Sequence, residues 1–318
     1  MSAAPRAIRF SVVIPTRNRP EALSRLLQRL DDQTFPRSEF EIIVVDDAGS
    51  VALEPIIAPH ADRGRIVLLR RQHRLGCAGA RQAGVERAVG EYLAFTDDDC
   101  EPCRNWLFHL DQAAEREPEA GLGGRTGNAE PADLYAETSQ LVVNQFAASR
   151  RNSSGDPLFF PTCNVAFPRE ELQKIGGLDT DWAISGGEDR DLCRRWSEAG
   201  RRMAFVPEAY VAHRQGMSGK RFWRQHFCYG RGAAKHLRRN GRSADFGLVH
   251  RFDLQTRILR ECFRGRPTGE SWHLAALAAA SQAATMLGFI YERLRPTLAA
   301  RGPVGPWRPV DQTKPAGR

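Results

Sequence analysis

In LAFTDDDCEP, residues 93–102, an apolar run ends in three consecutive carboxylates, Asp97, Asp98 and Asp99. Like charges this close repel one another and resist desolvation, so a compensating charge must stand beside them. An Asp-x-Asp set of oxygens suits a hard divalent cation, Mg2+ or Mn2+, which takes carboxylates and keeps coordination positions for phosphate oxygens. A second acidic pair, Glu188 and Asp189 in SGGEDRDLCRRWSEAG, falls at the start of a helical pattern marked by Leu192, Trp196 and Ala199. Plain structural roles stand beside these chemical ones. Three acids can form a solvated loop or a helix cap. Asp46 and Asp47, followed by Gly49, can be turn residues, and Glu188 and Asp189 can stabilise a helix dipole by about 0.5–2 kcal/mol.

The elements that must position these residues are legible as an alternation. The runs FSVVIPT (10–16), EIIVVDD (41–47), RIVLL (65–69) and EYLAFTD (91–97) are short, apolar and rich in β-branched or aromatic residues, the pattern of strands buried on both faces. Between them, RPEALSRLLQRL sets Leu23, Leu26, Leu27 and Leu30 on one side behind Pro20, and GCAGARQAGVERAVG reads as a second helix. Strand and helix in turn predict right-handed crossovers and an α/β, doubly wound, mostly parallel sheet. Ligands of such sheets bind beyond the carboxyl ends of the strands. Those ends carry PTRN (15–18), DDAGS (46–50), RRQHRLG (70–76) and TDDDCEP (96–102), which predicts one polar crevice. Arg17, Arg70, Arg71 and Arg81 are the candidate partners of a diphosphate there. LGCAGARQ (75–82) offers backbone amides near a helix start, although it lacks the phosphate-cradling GxxxxGK[ST] pattern.

The chain has 318 residues, 42% of them hydrophobic and 26% charged, enough to bury a sizeable core. Its net charge of +8 is unevenly spread: residues 214–318 hold 20 Lys/Arg against 6 Asp/Glu, which predicts a boundary near residue 214. No long apolar stretch precedes the first strand, so no secretory signal is read and a cytoplasmic location is expected. The seven irregularly spaced cysteines are then reduced thiols. CEPC (100–103), with His109 nearby, has zinc or redox spacing, but no second pair matches it.

Five segments in order, SVVIPTRNRPEALSRLLQRL, EIIVVDDAGS, HRLGCAGARQAGVERAVGEYLAFTDDDCEP, PTCNVAFPREELQKIGGLD and GGEDRDLCRRWSEAGRRMAFVPEAYVAH, resemble the successive motifs of family 2 glycosyltransferases over roughly residues 9–214. The resemblance implies a nucleotide-diphospho-sugar transferase fold of GT-A type and metal-dependent, inverting transfer from a nucleotide-sugar donor to an acceptor hydroxyl. Carried over by position, Pro15, Thr16, Arg17, Asn18, Gly76, Arg81, Asp97 and Asp98 line the nucleotide, and Asp46 or Asp47 recognises its base. Asp97, Asp99 and His213 hold the metal, and Asn164 lies near the sugar or acceptor, although its amide could equally satisfy backbone groups in a turn. Inverting transfer needs a base opposite the departing diphosphate. Asp189 matches that position, with Glu188 orienting it or the sugar. Two positions depart from the family pattern: Gln82 stands where asparagine is common, and Cys100 replaces an acid that often follows the Asp-x-Asp.

The expected organisation is a transferase domain over 1–214, with a nucleotide half (about 9–118) and an acceptor half (119–214). A basic helical extension (215–300) and a disordered tail (301–318) follow. In KRFWRQHFCYGRGAAKHLRR (220–239) an apolar stripe is flanked by cations, the pattern both of a helix lying on an anionic membrane and of one packed on its own domain. WHLAALAAASQAATMLGFIY (272–291) reads as a buried or interfacial helix, since Ser281, Gln282 and Thr285 interrupt it. The competing functional class is a nucleic-acid or anionic-surface binding protein led by its tail. That class leaves both acid clusters idle, and the tail is poor in aromatics for stacking bases, so no nucleic-acid partner is expected. A nucleotidyltransferase uses the crevice but not Glu188 and Asp189. The donor, a hydroxyl acceptor and an anionic membrane at the inner face are the expected partners.

Overall fold

The computed structural model describes residues 7–182, 186–240 and 248–295. Its sheet begins with four parallel strands, β1 (Phe10–Thr16), β2 (Phe40–Asp46), β3 (Ile66–Arg70) and β4 (Tyr92–Phe95), in the order β3-β2-β1-β4. Every residue of β1, β2 and β4 is buried, as their unbroken apolar runs require. Of the helices that cross between them, α1 (Pro20–Asp31) starts on Pro20 and buries Leu23, Leu26, Leu27 and Leu30 completely. Each such leucine contributes about 1.5–3 kcal/mol relative to leaving it in water. The helices α2 (Glu54–Ala61) and α3 (Gly76–Arg87) complete this half. Because the four strands are parallel, their carboxyl ends share one edge, and the loops after β1, β2 and β4 meet there.

The other half of the sheet departs from the parallel scheme. Beyond β4 the order is β7 (Val165–Pro168), β6 (Gly121–Asn128), β8 (Met203–His213) and β5 (Cys100–Pro102), with β4·β7, β7·β6 and β8·β5 antiparallel and β6·β8 parallel. The sequence of β6, GLGGRTGN, has almost no strand propensity. Close packing explains it. A Cβ at Gly123 would lie 2.0 Å from the Phe160 ring, and one at Gly124 would lie 2.0 Å from the Ala209 carbonyl oxygen.

Two cores flank the sheet. One holds Leu23, Leu27, Trp106 and Leu110, the latter two from α4 (Trp106–Arg116). The other holds Phe95, Phe167, Leu192 and Trp196, the latter two from α7 (Glu188–Glu198). Two further helices, α5 (Leu134–Ser149) and α6 (Arg169–Lys174), follow β6 and β7.

Three helices extend the chain: α8 (Gly219–Asn240), α9 (Leu248–Cys262) and α10 (Thr268–Leu294). They dock on α5, where Leu141 joins Ile258, Cys262, Leu274 and Ala278, and Ala136 joins Met217 and Phe222. Residues 220–239 take the packing role, since α8 lies against α10 at backbone contact. A Cβ at Gly230 would stand 1.8 Å from the Thr285 carbonyl oxygen, and one at Gly288 would stand 2.0 Å from that of Phe227. Its cations serve the fold as well: Arg231 and Arg238 pair with Glu292 of α10, and Arg239 pairs with Asp179. The expected tail, 301–318, lies outside the described residues.

Candidate active site

The three acids after β4 have different sets of partners, with Arg19 bridging two of them. Asp98 is buried, accepts the Thr16 hydroxyl at 2.7 Å and one Arg19 N–H at 2.8 Å, and is pushed up to about 6 by burial and by the neighbouring Asp99. Asp99 accepts from Arg19 at 2.8 Å and lies 2.9 Å from His213 Nε2. Burial opposes its ionisation, yet His213 and Arg19 hold it well below the usual carboxylate range. His213, penalised by burial but facing Asp99, is raised to about 9. Asp97 pairs with Arg81. Part of the compensating charge is therefore supplied by the protein itself.

Asp97, Asp99 and His213 come together, their ligand atoms all within 4.8 Å of one another. Two carboxylates and an imidazole form a donor set that fits Mn2+, and fits Mg2+ less well because of the nitrogen. Asp98 is not part of this group; its oxygens accept from Thr16 and from the Arg19 nitrogen that also meets Asp99.

Arg81 links the two acid clusters. Its guanidinium, only 3% exposed, contacts Asp97 on one side and Glu188 Oε1 at 3.5 Å on the other. Glu188 also accepts the amides of Gly186 and Gly187 at 3.0 and 3.1 Å, which fixes the turn into α7. Both of its oxygens are thus committed to holding the site in shape. Asp189, half-buried in the first turn of α7, accepts the Arg190 amide at 2.8 Å and is pushed up to about 7 by burial and by Glu188. A carboxyl poised there exchanges a proton at neutral pH.

Other expected residues hold loops in this structure. Asp46 accepts the Gly49 amide at 2.9 Å, the turn role left open by the sequence. Asp47 accepts the amides of Leu75 and Gly76 at 2.7 and 2.9 Å, fixing the entry to α3. Asn18, at φ 54°, accepts the Ser50 amide at 2.7 Å. Pro15 is a buried strand residue, Arg17 is exposed at the crevice edge, and Arg70 pairs instead with Glu54. Asn164 takes the structural role open to it. Fully buried, it donates to the Arg125 and Ala209 carbonyls at 3.0 and 2.9 Å and accepts from Trp106 Nε1 at 2.9 Å, so its side chain satisfies backbone groups within the core. Gln82 is likewise a buttress, accepting the Leu178 amide at 2.8 Å.

The sequence reading missed Arg19 and one whole face of the site. Arg221, Gln225 and Tyr229 recur every fourth residue along α8, so they share a face. Arg221 lies 3.8 Å from Asp99, and Gln225 donates to the Tyr229 hydroxyl at 2.7 Å and to Gln215 at 3.4 Å. Gln215 in turn lies 3.3 Å from His213 Nδ1. A polar chain therefore runs from the extension to the imidazole. The i, i+4, i+8 spacing was visible, but the apolar stripe beside it dominated.

The model of glycosyl transferase family 2 matches residues 11–176, which spans the Asp-x-Asp and the strands around it. The chain belongs to glycosyl transferase family 2. A second model, glycosyl transferase family group 2, matches residues 127–299. Among curated relatives, the pre-mycofactocin glycosyltransferase of Mycobacterium tuberculosis is 30% identical over 210 residues, covering 64% of this chain and 42% of that protein. Glycosyltransferase AglE of Haloferax volcanii is 26% identical over 212 residues, covering 64% of this chain and 66% of that protein. The chain thus matches less than two thirds of the length of these relatives. Among solved structures, the mannosyltransferase PcManGT from Pyrobaculum calidifontis, in complex with GDP-Man and Mn2+, shares the fold with a TM-score of 0.59 at 21% identity, over 91% of this chain and 88% of that one. TarS 1–349 of Staphylococcus aureus, in complex with UDP, gives 0.53 at 17% identity, over 90% of each chain.

Proposed function

We propose that this family 2 chain is a metal-dependent, inverting glycosyltransferase that moves a sugar from a nucleotide-diphospho-sugar to an acceptor hydroxyl. The observation that carries the reading is the placement of two acid clusters on either side of Arg81, one an O,O,N donor group and the other a carboxyl tuned to about 7. Asp97, Asp99 and His213 would hold the divalent ion, which when bound neutralises charge growing on the leaving diphosphate. Arg19, Arg81 and Arg221 supply fixed positive charge around the same diphosphate. Asp189 takes the acceptor hydroxyl proton as the new bond forms, and Glu188 keeps the 186–187 turn and Arg81 in register for it. Asp47 holds the loop at the base end of the donor.

A thermal-shift panel of UDP-, dTDP- and GDP-sugars, each with and without Mn2+, tests this. One nucleotide class is expected to protect the chain only when metal is present, by about 2.7 kcal/mol at a hundredfold excess over Kd. Protection by none, or protection indifferent to metal, would overturn the donor and metal assignments. The neighbours in complex with GDP-Man and with UDP are the reason for including both bases.

We also propose that α10, rather than α8, meets an anionic bilayer. Its packed face is made mostly of small residues, Ser271, Ala278, Ser281, Ala284 and Gly288 beside Leu274 and Glu292, while Trp272, Met286, Leu287, Ile290 and Leu294 are exposed. Exposed Arg264, Arg293 and Arg295 rim that apolar face. Among the described residues α10 is the one helix long and apolar enough to span a membrane, but its partner α8 is charged and docked on the domain, which favours lying at the interface. Phosphatidylglycerol vesicles are expected to sediment the chain at low salt and to release it when Trp272 and Leu287 are both replaced by glutamate. Equal sedimentation of the two forms would retire the idea.

A further inference from the structure

His213 belongs to a second cluster. Cys100 opens β5 and stands directly opposite His213 of β8 in the antiparallel register, so the two side chains project from the same face of the ladder. Cys163, from the loop before β7, reaches the same point. Both cysteines are buried, and the sulfur and imidazole ligand atoms all lie within 4.8 Å of one another. Tetrahedral zinc, with bonds of about 2.3 Å to sulfur and about 2.0–2.1 Å to nitrogen, needs such ligands about 3.5–3.8 Å apart, so side-chain adjustment alone closes the gap. The second cysteine of CEPC is not the partner of Cys100: Cys103 lies three residues on, just past the end of β5, and its thiol meets the Glu208 carbonyl instead.

We propose that Cys100, Cys163 and His213 form a site for a thiophilic divalent cation of the Zn2+ class, distinct from the oxygen-rich Asp97 and Asp99 pair and sharing one histidine with it. Two sulfurs and one nitrogen select soft or borderline ions, whereas two carboxylates select hard ones. On binding, the two thiols and the protonated imidazole of His213 would each release a proton to solvent, and two S–metal bonds and one N–metal bond would form in their place. Zinc therefore competes for His213 with the ion proposed for the donor diphosphate, so it inhibits transfer where Mn2+ supports it. The inhibitory consequence rests on the metal reading above; the binding itself does not.

Cobalt(II) separates the two sites, because only thiolate ligands give an intense near-ultraviolet charge-transfer band. Titrating the reduced 318-residue chain anaerobically with Co2+ should raise that band to saturation at one equivalent, and Zn2+ should abolish it. Cys163→Ser should remove most of the band, while Asp97→Asn should leave it intact although it disables the hard site. Should Cys163→Ser fail to fold, alkylation of Cys163 in the parent chain, mapped by mass spectrometry, should be slowed at least tenfold by Zn2+ and unaffected by Mg2+. Absence of the band, its persistence in Cys163→Ser, or alkylation indifferent to Zn2+ would overturn the proposal.

Discussion

Replacing Asp189 with asparagine is expected to lower transfer by about 10²–10⁴-fold, the usual contribution of a positioned general base, while leaving donor binding intact. Asparagine keeps the size of the side chain and still accepts the Arg190 amide, so the first turn of α7 survives. What it loses is the capacity to take a proton.

The parent pH profile carries a second signature. Burial and Glu188 raise the carboxyl to about 7, and only the ionised form is a base, so kcat/KM should rise with pH and level off above about 7. The sign for stability is opposite. A folded-state pKa above the unfolded one means that folding favours the protonated acid, so the parent loses stability as pH rises from the ordinary carboxylate range through about 7. Asp189→Asn removes that cost and should melt higher than the parent at neutral pH. Near-normal turnover, or a profile without an inflection near 7, would remove Asp189 from the base role. A variant that gains stability while losing rate is the mark of a group kept for function.

The parallel half of the sheet was readable because double burial leaves an unmistakable mark, a continuous apolar run closed by polar residues. β6 was not, because its glycines answer to a phenylalanine ring and a carbonyl supplied from far along the chain, and no local pattern records that. The same divide runs through the site. Asp97, Asp99 and His213 were legible as types at motif positions and do converge, and Glu188 and Asp189 do open a helix. Arg19 was passed over in favour of Arg17, two residues earlier, because only the bend after β1 decides which of them turns toward the acids. Asn164 and Gln82 illustrate the converse. An amide side chain at a motif position looks ready for a ligand in sequence, but packing assigned its hydrogen bonds to the Ala209 carbonyl in one case and the Leu178 amide in the other. The face of α8 was hidden for a third reason. Residues on it reach the crevice only because α8 docks on α5 and α10, so tertiary packing decides which of its stripes faces the site.

Asp99→Asn should abolish the metal-dependent part of donor protection, and Asp98→Asn should not. The two residues are adjacent in sequence and similar in burial, so composition and exposure give no reason for them to differ. Their partners do. Asp99 shares the 4.8 Å cluster with Asp97 and His213, whereas Asp98 lies outside that cluster and accepts the Thr16 hydroxyl; Arg19 bridges the two. Losing the Asp99 charge also strands His213 and Arg19, which face it at 2.9 and 2.8 Å, with Arg221 behind them at 3.8 Å. Breaking one partner of a buried pair costs about 3–5 kcal/mol, so the ligand-free Asp99→Asn chain should melt well below the parent. Added Mn2+ with donor should then move its melting point no more than donor alone. Asp98→Asn should also melt lower, through the weakened Thr16 and Arg19 contacts, yet keep a metal-dependent increment close to that of the parent. Should both variants keep the increment, the ion sits elsewhere in the crevice. Should both lose it, the loop acts as one unit and the division of labour among its three acids is wrong.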